Sequence, residues 1–197
     1  MNNISQDYKL IFIHVPKTAG MAISSAVGLL SPKHDTQQEI IKQAQSYDLD
    51  ISKYFQFAFI RNPWDRFLSL YFYLKFGSDR WPSDRSNNLI RSLNFNSFCS
   101  NFEIGNLVTS PFVSERHYKA QLEFIDLSKI DFIGRFEKIQ KDFNFVCDSV
   151  EIPRHQLPYN NKTKHKHYTE YYDDETRQIV AEKYAKDIEH FGYKFGE

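Results

Sequence analysis

The chain has 197 residues, enough to bury a sizeable core within one domain, and its 41% hydrophobic and 16% aromatic content describes an ordered globular protein. Its 25 basic residues balance 25 acidic ones, which argues against a polyelectrolyte or a nucleic-acid binder working through a broad basic face. Any anion site must therefore be focal.

Cys99 and Cys147 are too few for a disulfide framework and lack metal-ligand spacing. No apolar run approaches bilayer-spanning length, and the first residues carry no basic segment followed by a long apolar one. The expectation is one soluble, cytoplasmic domain over residues 1–197, with no membrane span.

In chain order, Lys9 to Val15 is a short Ile-, Phe- and Val-rich run bounded by Pro16, which predicts a strand buried on both faces. A helix is expected from Gly20 to about Leu30, and a weakly amphipathic one from Thr36 to Gln45. Tyr54 to Arg61 is the second aromatic strand. Asn62-Pro63 then supplies a preferred N-cap and a preorganised first helical residue. Trp64, Phe67, Leu68, Tyr71 and Leu74 recur at helical spacing and predict an apolar face packed on the sheet.

Gly77 to Asn88 has the Gly, Pro, Ser and Asp content of an exposed loop. Leu89 to Phe102 predicts a helix, Gln121 to Ile125 a short strand, and Ile130 to Phe136 the third good strand, followed by a helix from Glu137 to Ser149. Asp173 to Glu189 predicts one terminal helix with Val180, Tyr184 and Ile188 on a stripe beside Ala181 and Ala185. Strands alternating with helices imply an α/β fold whose mainly parallel sheet is covered on both faces, with ligands bound at the carboxyl ends of the strands.

Two turns leave strands at that edge. In IHVPKTAGMA, Ile13 to Ala22, a helix start offers unpaired N–H groups to an anion; Lys17 adds a charge, Thr18 a hydroxyl, and Gly20 lets the backbone approach without a Cβ. By itself PKTAG fits a plain strand-to-helix turn with a surface lysine equally well. Lysine and hydroxyl precede the glycine, the reverse of the Walker A order, which disfavours a nucleoside triphosphatase. At the second turn Arg61 has the planar fork that grips a phosphate twice, and Ser69 lies six helical rises beyond Pro63, about 9 Å along the axis. An Arg61–Asp65 ion pair and an ordinary helix serine are the plainer readings.

Taken together, KLIFIHVPKTAG, FAFIRNPWDRFLSLY and DFIGRFEKIQKDF resemble the sulfotransferase superfamily, in its carbohydrate branch related to heparan sulfate 2-O-sulfotransferases. The resemblance implies a P-loop-kinase-like three-layer sandwich and 3′-phosphoadenosine 5′-phosphosulfate as sulfuryl donor, with no metal. By matching position, Lys17, Thr18, Ala19, Gly20, Met21 and Ala22 would hold the 5′-phosphosulfate, and Arg61 and Ser69 the 3′-phosphate. Family members commonly carry hydroxyl residues where this chain has Met21 and Ala22; the N–H groups of these two remain available for binding, and compensation by Ser24 or Ser25 is not required.

Similarity also places Arg135 and Phe136 near the nucleotide, and Lys162, Lys164 and Lys166 lie in a basic loop suited to closing over phosphates or simply to solvation. The resemblance further implies a catalytic His or Glu where His34 stands; His117 is the runner-up and His14 reads as a core residue. The acceptor expected is a hydroxyl, of a carbohydrate by resemblance. A binding protein without turnover and a phosphotransferase are the alternatives.

Overall fold

The computed structural model describes all residues except 1, 31, 79–80, 83–87, 104–113 and 159–165. They group into two compact units, Met1–Arg61 with Gln121–Asn160, and Asn62–Ala120 with Asn161–Glu197.

The first unit is built on a four-stranded sheet in the order β1-β2-β3-β6: β1 (Ile4–Ser5), β2 (Leu10–Ile13), β3 (Phe55–Ile60) and β6 (Phe132–Arg135). β2, β3 and β6 run parallel, with Phe12 opposite Phe57 and Ile60 opposite Arg135, while β1, which the sequence pattern does not signal, pairs antiparallel to β2. Leu10, Phe12, Phe57 and Phe59 face α1 (Gly20–Ala26) and α6 (Ile139–Ser149), in a core completed by Ile23, Val27, Phe143 and Val146. Ile11, Ile13, Ala58 and Ile60 point to the opposite face and are equally buried. That explains the uninterrupted apolar run: a parallel strand covered on both sides has no polar face to alternate.

The helix after the first strand ends at Ala26, earlier than Leu30, because Gly28 turns into the left-handed region. α2 (Gln37–Ser46) begins with a capping box in which Thr36 accepts from the Glu39 amide and Glu39 accepts from the Thr36 amide. The expected strand at Gln121 to Ile125 is instead a 3-10 turn, Gln121–Phe124. Its apolar residues are pinned by polar anchors: the Asp126 amide donates to Gln37, whose own amide reaches Gln56 of β3.

The second unit is helical. α3 (Pro63–Phe76) starts at the predicted Asn62 cap, whose side chain accepts from the Trp64 amide. The five predicted apolar residues are all buried, yet their core is helical rather than the sheet: they cluster with Phe95 and Phe98 of α5 (Phe95–Glu103), with Val180 and with Tyr184. The run from Leu89 is broken between α4 (Asn88–Ser92) and α5. In the stretch read as a loop, β4 (Gly77–Ser78) and β5 (Trp81–Pro82) pair antiparallel. The terminal helix is likewise two, α7 (Asp174–Lys183) and α8 (Ala185–Phe191), interrupted at Tyr184, and Ala185 is exposed. Buried Arg66 donates to the Lys119 carbonyl at 2.6 Å and lies over the Tyr184 ring, while its Nε and Nη1 meet no hydrogen-bond partner among the described residues.

One close approach in the first unit fixes a glycine. A Cβ on Gly20 would lie 1.9 Å from Cδ2 and Nε2 of His14, whose ring is buried and stacked on Phe12. Gly20→Ala is therefore expected to lose about 1–3 kcal/mol of stability through overpacking. Combining it with His14→Ala should recover part of the loss, a favourable coupling of at least ~1 kcal/mol in a denaturation double-mutant cycle. Simple additivity of the two variants would contradict this packing.

Candidate functional site

The site candidates of the first unit gather where β2 and β3 end. Beyond Ile13 the chain passes through Pro16 into a tight loop in which Lys17 and Ala19 both adopt left-handed φ, at 68° and 64°. Non-glycine residues in this region store strain that surrounding contacts must hold. Part of the holding comes from Thr18, fully buried, whose hydroxyl donates to the Val15 carbonyl at 2.9 Å. The hydroxyl expected to face an anion is thus a brace inside the loop.

Ala19 caps α1 without a side-chain bond, and its carbonyl accepts from the amides of both Ala22 and Ile23. Among the described residues the Gly20 and Met21 amides have no such partner. Ser24 is buried and donates to the Met21 carbonyl, so its hydroxyl does not replace the missing ones, while Met21 and Ser25 are exposed. The absence of a Cβ at Gly20, expected to admit a ligand, admits the His14 ring.

Arg61 reaches this loop from β3. Its Nη1 donates to the Lys17 carbonyl at 3.2 Å and its guanidinium lies 4.0 Å above the Phe136 ring. Two stretches of sequence 44 residues apart thereby place their cations together. Burial first, and the neighbouring Arg61 charge second, push the Lys17 ammonium down from its usual value to about 7. A pair of cations held this way suits a multiply charged anion, which would relieve both the desolvation and the repulsion.

Arg135 ends β6 opposite Ile60, and its amide donates to the Asp142 carboxylate at 2.7 Å. Phe136 follows it into a 3-10 turn, which carries the ring beneath Arg61. Sequence reasoning overlooked Gln121. Fully buried, it accepts from the Arg61 amide and donates to the Arg61 carbonyl, both at 2.9 Å. No local pattern could reveal it, since its partner lies 60 residues away.

His34 is half-buried, its Nδ1 3.0 Å from the His14 carbonyl and its ring centroid 4.2 Å from that of His14. A carbonyl only accepts, so this bond puts the proton on Nδ1 and the neutral ring's lone pair on Nε2. Because His14 also abuts Gly20, His34 belongs to the same local cluster as the loop.

The remaining candidates lie elsewhere. Ser69 is a half-buried residue of α3 and His117 is buried, stacked on Tyr73, both in the second unit. Lys162 and Lys164 fall outside the described residues; Lys166 pairs with Glu170 at 3.1 Å. No group of three or more His, Cys, Asp or Glu side chains suited to a metal occurs among the described residues. No described helix is long and apolar enough to cross a membrane.

Comparison with curated proteins and with solved structures returned no significant match. The profile of the Sulfotransferase family, in contrast, matches residues 2–194. With its mostly parallel sheet flanked by helices, the chain belongs to the sulfotransferase family and is a sulfotransferase dependent on 3′-phosphoadenosine 5′-phosphosulfate.

Proposed function

We propose that the 197 residues act as one sulfotransferase domain that transfers a sulfuryl group to a carbohydrate hydroxyl, with the loop at Lys17 to Met21 and Arg61 holding the two charged ends of the donor. The observation that carries this reading is the Arg61–Lys17 junction, which unites the two motif segments at one strand edge. The donor, when bound, supplies the sulfuryl group and leaves as adenosine 3′,5′-bisphosphate.

Lys17 and the Gly20 and Met21 amides hold the phosphosulfate end and stabilise the charge that grows on it during transfer. Arg61, flat on Phe136, grips the 3′-phosphate. His34 removes the acceptor proton at Nε2, its Nδ1–H being held by the His14 carbonyl. The carbohydrate assignment rests on the likeness of the three motif stretches to the carbohydrate branch; labelled-donor transfer to a saccharide library tests it.

Three outcomes follow. Arg61→Ala should weaken bisphosphate binding by roughly thirtyfold, about 2 kcal/mol, measured by calorimetry on protein shown intact by melting; wild-type affinity would remove Arg61 from the site.

Lys17 gives a pH signature. Its lowered folded-state value means that the unfolded chain holds the extra proton between about pH 7 and 10.5, so Lys17 costs stability most below pH 7, and that cost fades as pH rises toward 10.5. An anion favours the charged form, so bisphosphate binding near pH 8 should take up protons, and affinity should fall as pH climbs above about 7. Calorimetry in buffers of different ionisation enthalpy reads the uptake, which Lys17→Met should reduce.

His34→Ala should bind bisphosphate normally while turnover drops by roughly a hundredfold or more. Normal turnover in intact protein would transfer the base role to His117.

A further inference from the structure

We propose that Gln121 is a positioning residue for the donor site: its side-chain amide clamps the backbone of Arg61 and so fixes where the phosphate-gripping guanidinium starts. This inference rests on the donor-site reading of Arg61.

The clamp is set by topology. β3 is paired with β2 as far as Ala58 and with β6 as far as Ile60, which lies opposite Arg135, but at Arg61 the chain leaves the sheet, and its amide and carbonyl lie past the last paired residue. Arg61 is buried, so these two groups cannot rely on water. Gln121 satisfies both in the manner of a neighbouring strand: Oε1 accepts from the Arg61 amide and Nε2 donates to its carbonyl, each at 2.9 Å. Among side chains of this length glutamine presents an acceptor and a donor in one plane whatever the pH. Glutamate offers two acceptors when ionised, and regains one donor when protonated.

The side chain of Arg61 is tied at its far end to the Lys17 carbonyl and along its face to Phe136. Fixing the backbone thus favours the observed place of the guanidinium, over Phe136 and beside the loop. The 3-10 turn at Gln121–Phe124, in place of the expected strand, is what delivers this side chain. Its following residues are anchored to Gln37 of α2, so the clamp is attached to the sheet's own framework.

The test compares Gln121→Met, which keeps the volume and loses both bonds, with Gln121→Glu, which loses the donor only when ionised. Bisphosphate affinity is measured by calorimetry at pH 5.5 and pH 8, as a ratio to wild type at each pH, and amide hydrogen exchange at Arg61 is followed in the free proteins. The expected result is at least tenfold weaker binding and faster Arg61 exchange in Gln121→Met at both pH values. Gln121→Glu should be comparably weak at pH 8 and return to within about threefold of wild type at pH 5.5, a recovery that a general loss of stability does not produce.

Intact variants with wild-type affinity and wild-type Arg61 exchange would overturn the proposal, and so would failure of both variants to fold at either pH, which would make Gln121 a folding residue. Should wild type itself not bind bisphosphate, the donor-site reading fails, and the exchange data still judge whether the clamp exists.

Discussion

The first unit is organised around two cations brought together at the edge of a parallel sheet. Lys17 and Arg61 follow different strands, and the Arg61 guanidinium donates to the Lys17 carbonyl. Burial first, and repulsion from Arg61 second, disfavour the charged form of Lys17. The protein meets this cost with contacts that leave the charges intact: an aromatic face under Arg61, a backbone carbonyl on its fork, and a glutamine along its main chain. The arrangement suits the proposed donor site, because charge assembled before binding does not have to be assembled during it.

The loop between the cations is held from within. Left-handed Lys17 and Ala19 are unfavourable conformations, and the Thr18 brace to Val15, together with the His14 ring pressed against Gly20, leaves the loop little room to relax. The Thr18 hydroxyl and the open side of Gly20 are thus taken up in shaping the loop, which in the proposed donor site leaves binding to backbone amides and to Lys17. Met21 and Ala22 fit that division of labour, since a site that works through its backbone asks little of the side chains there.

Much of this was legible in the sequence where the signal is local. The doubly buried strand at Leu10–Ile13, the strand at Phe55–Ile60, the Asn62-Pro63 helix start and the helix near Thr36 to Gln45 all announce themselves through neighbours in the chain. What escaped depends on partners far away. Gln121 to Ile125 has the apolar content of a strand, but buried bonds to Arg61 and Gln37 bend it into a turn. The α3 stripe was found and its destination misjudged, because periodicity tells which side is apolar and not what covers it. Tyr184 interrupts the last helix while its hydroxyl donates to the Tyr118 carbonyl, a contact across 66 residues that no helical pattern encodes.

The same division explains why Lys17 and Arg61 emerged from the sequence while His14 was passed over as a core residue. His14 is indeed buried, yet it has two further tasks: its ring sets the size limit at Gly20, and its carbonyl orients the His34 ring. The second task belongs to the backbone and is invisible to any reading of side-chain types. It also constrains the chemistry. A neutral histidine whose Nδ1–H is held by a carbonyl keeps its lone pair on Nε2, so the tautomer needed for a base follows from the path of the strand end. The residue that fills the space against Gly20 therefore also contributes the main-chain atom that prepares His34, which couples the shape of the anion loop to the orientation of the proposed base through one position.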